Sequence, residues 1–599
     1  MKDGEPLKKH RLFYILIVVI GVLAILNIRL FWIQVAASRN WTEHGIDLVE
    51  NSVIQREKGI VLDSGRGDFY DRNGRSITGL ETQVLTVFPI RNEKLEEGKE
   101  NNAKIARILQ VSESVWTQFV ESLKTPQVWA IDGKNITLSE QQSAQITALR
   151  LPQLMVTSLK QRYNNEQTAS HVIGFVGQDP ERITRQYTNQ FHQGELQLTS
   201  QIGGAGLERS FEPWLQGIGA TSVSLFTDAA KRPLPGLDAR IVRPHNDYYP
   251  VKVMTTLDAA IQQKIEQAMA KLQIKEGAVV VLDAANADVI AMASRPEFNP
   301  QHIDLQNGTW ANHALKAAAP GSIFKTVTAA AALEENVARA DETFECNGAL
   351  GKYGLTCWNK EGHGRISFRE GYAKSCNIVF AKIADRLKGA AIEDYANKLG
   401  LNVSVGWQGN FMQDSNFREF DAEEKGQIFA ESTPMEDGGV KAQSAIGQRD
   451  VMVTPLQAAN MVVTLLQQGK VLSPRVVKEV RFQNGRLMEA FDQKSVEGLS
   501  KGISSGTAKR LLSWMNDVVD HGTGSTLRSA KWSVAGKSGT AQVADKEGIA
   551  RVNQWFIGYG PVEQPKYAVA VMVQNMPETA ANKSLPLFKE VMDILATVQ

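Results

Sequence analysis

The sequence predicts an α+β chain of more than one domain behind an N-terminal membrane-spanning helix. Three observations carry this. The 599 residues exceed what one hydrophobic core organises. An apolar run, "LFYILIVVIGVLAIL" at 12–26, continues past Asn27 and Arg29 to Val35. The C-terminal half begins and ends with strand-like segments and carries helical patterns between them, which suggests one central sheet with helices packed on it.

Taken in order, residues 1–11 form a short basic tail and 12–35 the anchor. At about 1.5 Å per residue the run crosses a hydrocarbon core of roughly 30 Å. Lys8, Lys9 and Arg11 precede it and few basic residues follow, so the N-terminus is expected in the cytoplasm and residues from about 40 onward outside it. The small-residue stretch "VAAS" at 35–38 leaves a cleaved signal peptide as the alternative, but the run is long for one.

Residues 36–250 read as a mixed module. "GRGDFYDRNGRSITG" at 65–79 predicts a hairpin turning at Asn73-Gly74. Apolar spacing of three and four predicts helices within 92–125. Pro233, Pro235 and Pro244 mark a joint near 230–250. Residues 251–599 form the second domain. "VKVMTTLDAAIQQKIEQAMAKL" predicts a strand and a helix, and "GAVVVLDAANADVIAMAS" predicts two strands around a polar turn. "KWSVAGKSGTAQV", "NQWFIGYGPV" and "KYAVAVMVQN" predict three more strands, with a helix from about Leu585. Residues 402–440, polar and glycine-spotted, are expected to be a surface excursion. A net charge of +1, with no basic stripe interleaved with aromatics, argues against a nucleic-acid partner.

Chemistry concentrates in three short motifs. In "APGSIFKTV" the Pro320-Gly321 pair starts a helix, and Ser322 and Lys325 share a face one turn apart. A serine hydroxyl needs a base to become a nucleophile, and a partly buried lysine of lowered pKa can be that base. Ser375-Cys376-Asn377 follows, and Lys537-Ser538-Gly539-Thr540 lies on a predicted strand. The order S-x-x-K, S-x-N, K-[ST]-G is the motif set of penicillin-recognising serine acyltransferases. Ser375 suits proton relay and Asn377 suits holding a substrate amide. Lys537, Ser538 and Thr540 suit a carboxylate. Gly539 lets a substrate strand lie close to the sheet edge. Backbone N–H groups of Ser322 and Thr540 are the expected oxyanion donors.

With these motifs on the page, the sequence resembles the class B penicillin-binding proteins, the monofunctional D,D-transpeptidases of peptidoglycan synthesis. "RGDFYDRNGRSI", "SHVIGFVG" at 170–177, "GAGLERSFE" at 204–212, "AIGQRDVMVTPLQAA" at 445–459 and "NQWFIGY" at 553–559 resemble further blocks of that family, so the likeness spans nearly the whole chain. The Arg66-Gly67-Asp68 tripeptide is then part of a family motif, and its integrin-type spelling is accidental. The resemblance implies an elongated α+β pedestal of dimerisation type at 36–250. It implies at 251–599 a penicillin-binding, serine β-lactamase-like transpeptidase domain, whose central antiparallel sheet is flanked by helices. No glycosyltransferase domain precedes it, unlike the bifunctional class A proteins.

The implied reaction is attack by Ser322 on a peptidoglycan stem peptide ending in D-Ala-D-Ala. D-Alanine leaves, and an amine of a neighbouring stem resolves the acyl-enzyme, with water giving a carboxypeptidase side reaction. β-Lactams would trap Ser322. No cofactor is needed for this chemistry. The implied setting is the cytoplasmic membrane, with a single span and an extracytoplasmic catalytic domain, and the implied partner is a polytopic glycan polymerase. Two alternatives share the motifs: a β-lactamase, against which the extra N-terminal module speaks, and a non-catalytic β-lactam sensor, against which the short tail before the anchor speaks.

All three cysteines fall between 346 and 376, with His363 among them. Cys346, Cys357, His363 and Cys376 together make a tetrahedral zinc donor set. The resemblance implies a structural zinc ion in some elongation-type relatives, held by a histidine and the cysteine inside the S-x-N motif, with carboxylates beside them. Here Asp341 or Glu342 would compete with Cys346. The alternative is a Cys346–Cys357 disulfide with Cys376 inert.

Overall fold

The computed structural model describes residues 6–32, 57–89, 95–163, 168–226, 239–499, 502–543 and 550–598. Pro233 and Pro235 of the expected joint lie outside them. The helix Pro6–Phe31 contains a 19-residue span, Phe13–Phe31, of mean hydropathy 2.5 with none of its length buried in protein. A helix apolar on every side and buried against nothing is long and apolar enough to cross a membrane.

The chain divides into two compact units that do not follow chain order. One contains 1–64, 81–161 and 219–245. Its antiparallel sheet Glu57–Asp63, Thr221–Phe226, Arg240–Val242 is accompanied by the strands Gln127–Val128, Leu80–Val87 and Leu154–Gln161. The helices Leu95–Leu109 and Glu113–Ser122 lie within the region the sequence reads as helical. They close over Trp116 and Trp129, which meet edge-on at 5.2 Å. Such an aromatic pair concentrates burial in few side chains.

The other unit contains 65–80, 162–218 and 246–599. Residues 65–80 join it because Asp68–Tyr70 pairs in parallel with Lys252–Thr255. The predicted hairpin at Asn73-Gly74 is reduced to a turn closed by a single bridge, Tyr70 to Ser76. The Asp71 carboxylate accepts from the Asn73 and Arg75 N–H groups at 2.8 Å each at the tip, while the Asp71 and Ile77 N–H groups donate to the Arg75 and Phe69 carbonyls at 2.8 Å each across the turn. Arg66 is buried and donates to Glu208 at 2.8 Å and Glu212 at 2.6 Å. Arg162 adds 2.6 Å to Glu208 and 3.1 Å to Asp68.

The central sheet has five strands. We label them β1 (Gly277–Asp283), β2 (Val289–Arg295), β3 (Ala535–Val543), β4 (Arg551–Gly560) and β5 (Tyr567–Pro577). They lie in the order β2-β1-β5-β4-β3, every pairing antiparallel, so β3 is an edge. The helices that concern the site are α1 (Ala259–Lys271), α2 (Lys325–Glu334), α3 (Phe368–Ala373), α4 (Asn377–Ala384), α5 (Pro455–Leu466), α6 (Ser505–Asp520) and α7 (Ser584–Thr597). β1 and β2 are apolar and buried throughout most of their length because both faces are covered. Val280 and Leu282 join the core that holds α2 and α5, while Val279 and Val281 join the core that holds α1 and α7.

Residues 402–440 are not a mere surface excursion. They contain the hairpin Gln408–Phe411/Asp414–Arg418, whose Phe411 and Phe417 are 0% and 2% exposed and pack against Phe211 and Phe491. The polar majority of the segment hides five buried rings, Trp407, Phe411, Phe417, Phe420 and Phe429, that a composition reading passes over.

Candidate active site

Ser322 lies in a tight turn, Gly321–Phe324, that runs directly into α2. Two glycines let this turn press on the sheet edge. Gly321 has φ +56°, its N–H donates to the Gly447 carbonyl at 2.9 Å, and a Cβ there would stand 2.2 Å from the Thr540 oxygen. A Cβ at Gly539 would stand 2.7 Å from the Pro320 oxygen. Trp555 on β4 fixes the approach further by donating its indole N–H to the Ala319 carbonyl at 2.9 Å. The Ser322 side is half-buried, and among the described residues its hydroxyl has no hydrogen-bond partner.

One turn on, Lys325 is completely buried. Its Nζ donates to the Ser375 carbonyl at 2.8 Å, to Ser375 Oγ at 3.3 Å and to Asn377 Oδ1 at 2.8 Å, and lies 5.5 Å over the Phe380 ring. Burial pulls this amine down to about 8. Lys537 on β3 is also completely buried and donates to the same Ser375 Oγ at 3.0 Å and to the Ser538 carbonyl at 2.9 Å. Burial, and then the Lys325 charge, push it well below its ordinary range. Among the described residues no carboxylate pairs with either amine, so only neutral acceptors and aromatic rings offset the desolvation of two ammonium groups.

Ser375 reaches both lysines because of how α3 ends. The Cys376 N–H returns to the Gly371 carbonyl at 2.8 Å and the Ser375 N–H to the Tyr372 carbonyl at 3.1 Å. This is a Schellman ending with Ser375 at its left-handed position, φ +53°. Glycine is usual there, and a residue with a Cβ costs about 1–2 kcal/mol. The hydroxyl is therefore held at the cost of backbone strain. Asn377 opens α4, and its Nδ2 donates to the Thr356 carbonyl at 3.0 Å.

The third motif stands on the sheet edge. Ser538 Oγ and Thr523 Oγ1 are 2.6 Å apart, and Thr540 is exposed. Two neighbours of the site escape sequence reasoning: Thr523, in the loop after α6, and Tyr372, over whose ring Lys537 Nζ sits at 5.7 Å. Gly447 and Gln448 belong to the 445–459 block, and only the fold sets Gly447 against the Ser322 turn and Gln448 against the Thr540 carbonyl. The one signal for Thr523 is the G-T-G triplet before β3; the others become neighbours only through folding.

Beside this group the structure assembles Cys346, Cys357, His363 and Cys376, their donor atoms all within 4.8 Å of one another. Strand Thr343–Cys346 pairs with Gly364–Ser367 in a register that sets Cys346 opposite Gly364, beside His363. His363 Nδ1 lies 3.7 Å from Cys346 Sγ and 3.5 Å from Cys357 Sγ, and the Cys357 and Cys376 sulfurs are 4.0 Å apart. Bonds of about 2.3 Å to sulfur and 2.0 Å to nitrogen give a tetrahedron with edges of about 3.5–3.8 Å. The donor set therefore fits zinc. All three cysteines are free thiols, so the Cys346–Cys357 disulfide is not formed. The contact with Cys376 pulls the Cys357 thiol down, which favours a thiolate at that position. Asp341 and Glu342 do not compete for the cluster. Asp341 is exposed beside Arg339, and Glu342 pairs with Arg386 at 2.7 Å, because the strand at 343 directs Cys346 and not the residues before it into the cluster. Of the remaining histidines, His171 is buried against the Thr309 carbonyl and burial pulls it down to about 4, a structural role.

Comparison with known proteins fits this geometry. Residues 277–593 match the family described as the penicillin binding protein transpeptidase domain, and 61–234 match the penicillin-binding protein dimerisation domain. Stage V sporulation protein D of Bacillus subtilis is 26% identical over 595 residues, covering 96% of this chain and 83% of that protein. The peptidoglycan D,D-transpeptidase MrdA of Haemophilus influenzae is 26% identical over 584 residues, covering 90% and 85%. Among solved structures, a chain of a peptidoglycan synthase complex, in work on the coordination of polymerization and crosslinking, aligns with TM-score 0.66 at 21% identity, covering 98% of this chain and 99% of that one. A chain of the complex between penicillin-binding protein PBP2 and MreC from Helicobacter pylori aligns with TM-score 0.59 at 20% identity, covering 90% and 99%. With the transpeptidase match spanning more than half of its length, the chain belongs to the class B penicillin-binding proteins, the serine-type peptidoglycan D,D-transpeptidases.

Proposed function

We propose that Ser322 is the acylated residue and that Lys325, Ser375, Asn377 and Lys537 drive its chemistry, with Ser538, Gly539 and Thr540 binding substrate. The observation that carries this is the pair of buried amines, neither with a carboxylate partner among the described residues, bridged by one hydroxyl, Ser375 Oγ, next to a serine whose own hydroxyl is unengaged. A neutral Lys325 takes the Ser322 proton as Oγ bonds to the penultimate D-alanyl carbonyl carbon. The N–H groups of Ser322 and Thr540 steady the oxyanion. The C–N bond then breaks, and Ser375 passes the proton to the departing D-alanine amine. A stem-peptide amine next attacks the ester carbonyl, its proton returns through the same groups to Ser322, and the cross-link is released. Lys537, lying against Ser375, sets the proton affinity of the relay. The hydroxyls of Ser538 and Thr540, with Thr523, remain for the terminal carboxylate.

In the same reading a structural zinc ion is held by Cys346, Cys357, His363 and Cys376. Because Cys376 lies between Ser375 and Asn377, the ion would brace the relay turn and take no part in the chemistry. Residues 36–250, apart from the stretches 65–80 and 162–218 that pack with the second unit, serve as a pedestal, 251–599 as the catalytic domain, and the N-terminal helix as a single span with the catalytic domain outside. The peptidoglycan synthase complex named above, which coordinates polymerization with crosslinking, supports a polytopic glycan polymerase as partner.

Purified protein treated with fluorescent penicillin should carry a stable adduct, located by mass spectrometry on Ser322 and absent from Ser322→Ala. Rapid loss of the adduct would mark a β-lactamase instead. Metal analysis should return one zinc per chain, and Cys357→Ser should lose it; no zinc from protein purified without chelator sinks the metal assignment.

A further inference from the structure

Trp358 is 61% exposed, and among the described residues from 57 onward it is the only tryptophan left so open. It is nevertheless fixed. Its indole N–H donates to the Lys374 carbonyl at 3.0 Å, and its ring meets His363 edge-on at 5.3 Å. Lys374 immediately precedes Ser375, and two residues before Trp358 the Thr356 carbonyl accepts from Asn377. The segment 356–358 therefore touches the Lys374–Asn377 turn at two points. Leaving a large apolar ring in water while locking its orientation brings the fold no burial, but it suits a surface that waits for an apolar group.

Resting on the acylation reading above, we propose that Trp358 is an acyl-side subsite, a platform for the part of the donor that lies beyond the amide held by Asn377. The direction follows from chemistry. The departing D-alanine carboxylate belongs at Ser538 and Thr540, so the retained acyl chain runs the other way, past Asn377 and toward 356–358. The group recognised is apolar: the aliphatic stem of a peptide side chain in the substrate, or the aryl group of a β-lactam side chain.

The test uses the full-length protein in detergent and two probes. Benzylpenicillin carries a phenylacetyl side chain, and 6-aminopenicillanic acid carries none. The ratio of their second-order acylation rates should fall roughly tenfold in Trp358→Ala and return most of the way in Trp358→Phe, which keeps a ring but lacks the N–H. A ratio unchanged in Trp358→Ala overturns the subsite, whether both rates drop together or neither does, because a merely structural indole would slow both probes alike. Failure of both probes to acylate Ser322 in the wild type would instead sink the acylation reading itself.

Discussion

At the scale of single residues, the proposed role of Lys325 as base sets when the site should work. Its amine stands at about 8 against an ordinary 10.5, and only the neutral form can accept a proton. Acylation at saturating β-lactam is therefore expected to rise with pH and level off above about 8, and Lys325→Ala to lose roughly a thousandfold in rate. A flat profile between pH 6 and 9 would remove Lys325 as the base. The same shift bears on stability. Between about 8 and 10.5 the unfolded chain binds the proton that the folded chain has released, so stability rises with pH across that window, and burying this lysine costs about 3 kcal/mol below it. Ser375 makes a second case. Its left-handed backbone favours glycine, so Ser375→Gly should be more stable than Ser375→Ala by about 1 kcal/mol in thermal melts, although both lose the hydroxyl and acylate slowly. Equal melting temperatures would show that the turn carries no strain. The three motifs holding these residues are legible in the sequence because each is local. The depressed amines are not, since the burial comes from residues far apart in the chain, such as Phe380 over Lys325 and Tyr372 over Lys537.

At the scale of elements, the site depends on how closely the Ser322 turn approaches β3. Gly321→Ala puts a methyl group 2.2 Å from the Thr540 carbonyl and a Cβ on a left-handed backbone. It should cost at least about 2 kcal/mol by denaturant titration and abolish penicillin labelling, where an ordinary exposed glycine would tolerate alanine. Unaltered labelling would mean that the turn has more freedom than this packing implies. The central strands and the helix after Lys583 follow from apolar runs and turn residues. The hairpin at 408–418 does not, because Phe411 and Phe417 sit among polar residues and are buried by partners at 211 and 491. The hairpin expected around Asn73-Gly74 stays short: the Asp71 and Ile77 N–H groups donate to the Arg75 and Phe69 carbonyls across it, and the Asp71 carboxylate takes the N–H groups of Asn73 and Arg75 at its tip.

At the scale of the whole molecule, the transpeptidase unit is stitched from three stretches of chain. A fragment cut at the joint suggested by sequence, 251–599, would lack Asp68–Tyr70 beside Lys252–Thr255 and the buried Phe69, Leu207, Phe211 and Leu215. Such a fragment is expected to be insoluble or to melt well below a protein starting at 57. A fragment of equal stability would show the interleaving to be dispensable. Within the same unit, Glu208 accepts from Arg66 and Arg162 with no exposure, so Glu208→Ala leaves two buried guanidinium groups short of a partner and should cost about 3–5 kcal/mol.

By itself the sequence determined the apolar N-terminal span, the strands of the central sheet with the helix that closes the chain, and the three motifs whose serine, lysine and hydroxyl groups we propose for the site. All of these are written in short windows where spacing and residue type act locally. Only the tertiary structure decided which carboxylates neutralise Arg66, which stretches share a core, that three thiols and an imidazole meet at tetrahedral distances without a disulfide, and that both lysines share one hydroxyl away from water. Those outcomes depend on burial and distance between segments far apart in the chain, and no local window contains them.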